Sequence, residues 1–185
     1  ERAVAPEFPA SEAAADQEKL RQLDDQPVAL YRPANYIDTH DELAAAEART
    51  PVSGTDYVRR GSAYGNDGHY DLAIADFTKA LTLKADDADA LAGRAVSYLH
   101  SQRPDLAARD TDAALAIAPR NRLALWTKGI LAELAGRLDE AISAYGAAIE
   151  ADPNDFSSLA MRAQIEYQKH DETHALTDAS AALKL

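Results

Sequence analysis

The sequence predicts an all-α solenoid of four tandem helix hairpins behind an N-terminal extension, and three observations carry that prediction. Gly61, Ala95, Gly129 and Ala163 recur at a strict interval of 34 residues, as do Ala73, Ala107, Ala141 and Ala175, and again Ala80, Ala114, Ala148 and Ala182. Leu81, Leu115, Ile149 and Leu183 keep an aliphatic residue beside the last series. Within each unit the apolar residues return every three or four positions, the helical period, in two runs parted by a breaker. One hairpin cannot bury its apolar face alone, so the units are expected to stack on one another, and about three or more are needed for stability.

The elements follow in chain order. Residues 1–38 read as an extended or partly disordered acidic segment, in which Ser11–Asp25 could form a weakly amphipathic helix through Leu20 and Leu23. Pro27–Ile37 is apolar and aromatic but broken by prolines, and is expected to be extended. Thr39-His40-Asp41-Glu42 reads as a capping box opening a helix that runs to Arg49 and stops before Pro51, so that 39–53 forms a capping helix and linker. The four units then span 54–87, 88–121, 122–155 and 156–185. Their internal breakers are Asp67-Gly68-His69, Gln102-Arg103-Pro104, Ala135-Gly136-Arg137 and Lys169-His170-Asp171; the glycines suit a left-handed helix end and Pro104 a helix start. Between units lie Lys84–Asp87, Ala118–Asn121 and Asp152–Asp155, which are turn-forming and helix-capping sequences.

Small residues at positions 8, 20 and 27 of a 34-residue unit, an aromatic at 24 and Pro at 32 resemble the tetratricopeptide repeat family over Gly54–Leu185. Gly129, Ala141, Tyr145, Ala148 and Pro153 make the third unit the best match, and Gly61, Tyr64, Ala73, Phe77 and Ala80 serve the first. The fourth departs most, with Glu166 and Ala179 where aromatics are usual. The resemblance implies a right-handed superhelix whose concave groove is lined by positions 2, 5, 9, 12 and 13 of each first helix. Here those positions include Val58, Ser62, Ala92, Val96, Leu99, Leu123, Trp126, Ile130, Leu134, Ala160, Gln164 and Tyr167, a mostly apolar set centred on Trp126. Chaperone-binding members grip a carboxylate there with Lys, Asn and Arg, but Val58, Ser62, Gly93, Leu123 and Thr127 stand in the corresponding places, so that clamp is not expected.

Composition narrows the function. Hydrophobic residues make up 46% and charged residues 27% of the chain, and no apolar run approaches the ~18–20 residues that cross a bilayer. With 31 acidic and 19 basic residues, the net charge of −12 repels a phosphate backbone, which argues against nucleic acid. Residues 1–53 are the more acidic part, with 11 acids and 5 bases. Absence of cysteine excludes disulfides, thiolate metal sites and a cysteine nucleophile. The Ala/Pro/Glu-rich opening Glu1–Ala15 reads as a spacer after a removed signal or an upstream domain, which points to an extracytoplasmic protein of bacterial type.

No catalytic constellation emerges, and no cofactor or metal is expected. His170 and His174 straddle the last breaker and read as surface histidines. Gly65-Asn66-Asp67-Gly68 is an inter-helix turn without the lysine of a phosphate loop. A sharper signal is the basic residue at position 7, Arg60, Arg94, Lys128 and Arg162, against Asp76, Asp110, Ala144 and Asp178 at position 23. The third unit loses the aspartate and changes arginine to lysine together, which reads as a structural ion-pair ladder built on bidentate Arg–carboxylate geometry. Binding an acidic ligand through these arginines is the alternative. The resulting functional expectation is a non-enzymatic scaffold that binds a peptide or protein segment in its groove, with residues 28–37 docking there in the absence of a partner. The alternatives are a docking or regulatory domain of a larger enzyme, or a structural homo-oligomer.

Overall fold

The computed structural model describes residues 39–185; the readings made for 1–38, including the Ser11–Asp25 helix and the docking of residues 28–37, lie outside the described residues. Among the described residues there are nine helices and no strand: α1 Thr39–Glu47, α2 Gly54–Asn66, α3 Tyr70–Leu83, α4 Ala88–His100, α5 Pro104–Ile117, α6 Arg122–Leu134, α7 Leu138–Ala151, α8 Phe156–Gln168 and α9 Glu172–Ala182. The helix α1 ends at Glu47 rather than at Arg49. Ala48 N–H still bonds to Ala44 C=O at 3.0 Å, after which the backbone turns toward Pro51.

Each first helix starts one residue after a short polar side chain, again at 34-residue spacing. Ser53 forms a full capping box with Asp56: its Oγ accepts from Asp56 N–H at 3.2 Å, and Asp56 Oδ2 accepts from Ser53 N–H at 3.0 Å. Asp87 and Asn121 accept from Ala90 and Ala124 N–H at 3.1 and 3.0 Å. Asp155 is spent differently, taking the Ser158 hydroxyl at 2.6 Å and Arg122 at 3.1 Å. The four hairpin turns are alike in backbone: Gly68, Gln102, Gly136 and His170 all hold the left-handed conformation, with φ of 82°, 58°, 72° and 62°.

Inside each hairpin Ala73, Ala107, Ala141 and Ala175 have no exposed surface, so the two helices meet on their backbones and any larger side chain would part them. Each first helix packs on its own second helix, and α4, α6 and α8 pack also on the second helix of the preceding unit. Neighbouring first helices also touch, α2 against α4 and α4 against α6, whereas no two successive second helices make a contact of similar extent. The first helices therefore form an inner row and the second helices an outer one, which is how a stack of hairpins curves. The helix α1 packs against α2 ahead of this row.

Candidate functional site

The inner row divides the expected groove residues into two sets. Ala92, Val96, Trp126 and Ala160 are buried, at 0%, 7%, 2% and 6% exposure, and offer no side chain to an outside ligand. This corrects a groove centred on Trp126. A first helix in the stack is held by its own second helix and by the preceding hairpin, so its buried arc extends past position 5, and Trp126 joins Val96, Leu125, Tyr145 and Ile165 in the largest apolar cluster. Val58, Ser62, Leu99, Leu123 and Ile130 are half-buried, and Leu134, Gln164 and Tyr167 are exposed. Accessible apolar surface on the inner row thus collects at the C-terminal ends of the first helices, with Leu134 at 70% and Tyr167 at 43% exposure.

Three hairpins are clasped by charge. Arg60 donates from Nε and Nη2 to Asp76 at 2.6 and 2.7 Å, Arg94 to Asp110 at 2.6 and 2.9 Å, and Arg162 to Asp178 at 2.6 and 2.8 Å. The aspartates are buried, and the planar fork of each arginine meets both carboxylate oxygens, a match lysine cannot make. Arg60 also lies over the rings of Tyr57 and Tyr64, at 5.8 and 5.7 Å. These guanidinium groups are committed to the aspartates of their own hairpins, and Arg94 Nη1 also donates to the Thr78 hydroxyl of the preceding hairpin at 3.2 Å. In the third hairpin Lys128 is exposed and Ala144 buried, with no clasp between them.

That third hairpin is closed by a ring instead. Tyr145 is fully buried over Gly129, where an added Cβ would lie 2.4 Å from Tyr145 Cε1, and its hydroxyl donates to Glu133 at 3.1 Å. Burial, with Glu133 adding to it, pushes the Tyr145 phenol far above its ordinary range. The fourth hairpin has no such ring. Glu166 sits buried where an aromatic is usual, its Oε2 without a hydrogen-bond partner and its Oε1 3.8 Å from Arg162 Nε. Burial first, and then the Asp178 carboxylate, raise the Glu166 pKa, against the opposing pull of Arg162.

Gly93 carries a role that the repeat pattern did not single out. A Cβ there would meet Phe77 Cζ at 2.3 Å, so the ring of the first hairpin wedges against the bare backbone of α4. The signal was a lone glycine inside a helical run. His170 and His174 are both exposed, His174 Nδ1 lying 2.8 Å from Asp171. Among the described residues no group of three or more His, Asp or Glu side chains is placed to hold a metal ion, and no helix is long and apolar enough to cross a membrane.

Three overlapping stretches, 58–122, 102–156 and 127–185, match the tetratricopeptide repeat family. No curated protein matches the sequence significantly. Among solved structures, that of MamA is 16% identical and covers 97% of this chain and 95% of its own, with a TM-score of 0.59. A MamA chain (41-end) from Desulfovibrio magneticus RS-1 is 18% identical over 95% of this chain and 96% of that one, also at 0.59. The first repeat domain of Spaghetti (RPAP3), bound to the HSP90 peptide SRMEEVD, is 23% identical over 64% of this chain and 94% of that one, at 0.57. Identities this low carry the fold and nothing finer.

Proposed function

This chain belongs to the tetratricopeptide repeat family, and from that premise we propose that it is a non-enzymatic scaffold whose inner row of helices binds an extended protein or peptide segment. The observation that supports the reading is the exposure of Leu134 and Tyr167 on the inner row, flanked by half-buried Leu99 and Ile130, while Val96, Leu125 and Trp126 of the same row are packed away. A structural neighbour of the same architecture was solved with a peptide bound. The binding surface lies at the C-terminal ends of α4, α6 and α8 rather than around Trp126. Scattered exposed apolar residues are ordinary on any protein, and Leu83 and Ile117 on the outer row are of that kind.

The test is binding of the whole chain to an array of short random peptides. Leu134→Asp is expected to lower binding roughly tenfold, as loss of an apolar anchor does, while Ile117→Asp leaves it unchanged. An array that retains no chain, or retention indifferent to Leu134→Asp, counts against the inner row as the binding face.

A further inference from the structure

The inner row leaves apolar surface uncovered where its helices end. Leu134 is 70% and Tyr167 43% exposed, Leu99 is half-buried, and all three stand at position 12 or 13 of their units. Glu133 shares position 12 and is half-buried beside Leu134. Its Oε2 accepts from the Tyr145 hydroxyl at 3.1 Å, and a carboxylate has lone pairs for further donors.

The chain itself carries a segment of matching chemistry. Val28-Ala29-Leu30-Tyr31-Arg32-Pro33-Ala34-Asn35-Tyr36-Ile37 sets two tyrosines among aliphatic residues, and its proline lowers the entropy lost on docking. Its one charge is the positive Arg32, whereas residues 54–185 hold 20 acids and 14 bases. Opposite charge therefore draws this segment toward the repeats. Reach decides how much of the row it can cover. Tyr31 stands eight residues and Val28 eleven residues before Thr39, where α1 begins. Extended chain carries them at most about 29 and 40 Å from that point. The helix α1 packs against α2, and first helices spaced about 8–10 Å apart put α6 roughly 20 Å and α8 roughly 30 Å beyond it. Leu134 and Tyr167 both lie within the tether.

We propose that residues 28–37 occupy the inner row in the absence of a partner, with Leu30 and Tyr31 on Leu99 and Leu134 and Arg32 on the Glu133 carboxylate, so that an outside segment binds only by displacing them. The proposal rests on the reading of the inner row as a binding face and adds its regulation. A tether this short holds the segment at an effective concentration on the order of 1 mM. An internal site with a dissociation constant of roughly 0.1 mM is then about nine-tenths occupied, and an outside peptide binds about tenfold more weakly than to the bare row.

The test keeps the whole chain. A Leu30→Ser, Tyr31→Ser double variant changes no residue of the repeats, and it should bind the array peptides roughly tenfold more tightly than the parent. Leu134→Asp should cost more binding on that variant than on the parent, because in the parent the same change also loosens the internal occupant. A photo-crosslinker at position 31 should label α4 or α6 of its own chain. Label on the outer row, or on a second chain as a covalent dimer, overturns the proposal, and so does a double variant that binds no more tightly than the parent. If Leu134→Asp still weakens binding in that case, the inner row stands as an open binding face; if it changes nothing in either background, that reading falls as well.

Discussion

The odd and even hairpins of this array share a backbone and close it by different means. In the first and third, glycine at position 8 lies under an aromatic ring, Gly61 beneath Phe77 and Gly129 beneath Tyr145, and glycine takes the left-handed turn. In the second and fourth, alanine at position 8 goes with a small residue at position 24, Thr111 for Ala95 and Ala179 for Ala163, and the turn is made by Gln102 or His170. The charge clasp cuts across this alternation: the first hairpin has ring and clasp, the third a ring alone, the second and fourth a clasp alone. Volume at a helix crossing and a bidentate ion pair are thus interchangeable ways to hold one geometry, and each leaves its own weak point.

The largest expected effect breaks the ring closure. Gly129→Ala places a methyl group 2.4 Å from Tyr145 Cε1, inside a ring with no exposed surface, and should cost about 2–3 kcal/mol in urea unfolding, the upper part of the usual range for overpacking. At Gly61 the same methyl meets Phe77 Cε1 at 3.2 Å. A shift of a few tenths of an ångström relieves that contact, and the ~1 kcal/mol gain in helix propensity offsets much of the remainder. Equal losses at the two sites would show that ring and glycine are not matched as described.

This trade of volume was present in the sequence but hidden by how repeats are compared. Aligning Gly61, Ala95, Gly129 and Ala163 shows that position 8 is small; only pairing each with position 24 shows that glycine goes with Phe77 and Tyr145, and alanine with Thr111 and Ala179. Helices and turns were legible because caps and breakers act locally. The groove was legible only in part: periodicity finds the apolar face of α6 but not its width, and Trp126 falls inside the buried arc, in one cluster with Val96, Tyr145 and Ile165.

The second test breaks the clasp. Asp110→Ala strips Arg94 of its bidentate partner, leaving Thr78 at 3.2 Å, the single ring of Tyr98 at 5.8 Å and the edge of solvent, and should cost about 1–3 kcal/mol; the figure is held below the full burial penalty because the Arg94 side chain is 18% exposed. Asp76→Ala should cost less, since Arg60 keeps the faces of Tyr57 and Tyr64. In a double-mutant cycle Arg94→Met should hurt less on the Asp110→Ala background than alone. Strict additivity would remove the clasp from the comparison.

Within the even hairpins, Glu166 sharpens the contrast by its pH dependence. Its folded pKa is raised, so the stability it contributes is fully present below the ordinary carboxylate range and is lost as pH rises through the raised folded value. Glu166→Gln removes that loss. The variant should gain on the order of 1 kcal/mol over the parent at neutral pH, with the two converging in acid as the glutamate protonates. Parallel pH profiles for parent and variant would mean that the carboxylate is already satisfied in solution.

The smallest expected effect concerns the turns, where odd and even hairpins differ with the fewest other changes. Gly68, Gln102, Gly136 and His170 occupy one position with φ between 58° and 82°, and the side chains of Gln102 and His170 are exposed. A residue with a Cβ pays about 1–2 kcal/mol in the left-handed region, and replacing it with glycine recovers that strain. Glycine also widens the unfolded ensemble, which takes back about 0.4–1 kcal/mol. Gln102→Gly and His170→Gly should therefore each stabilise the array by roughly 0.5 kcal/mol. The reverse change, Gly136→Ala, meets nothing within 4 Å and should cost a comparable amount, so its penalty would be conformational and not steric. The measurement is a shift of the urea midpoint at constant slope, since the surface exposed on unfolding does not change. If Gln102→Gly destabilised while Gly136→Ala did not, the even turns would owe their geometry to contacts of the Gln102 side chain, and the shared backbone would conceal two different turns.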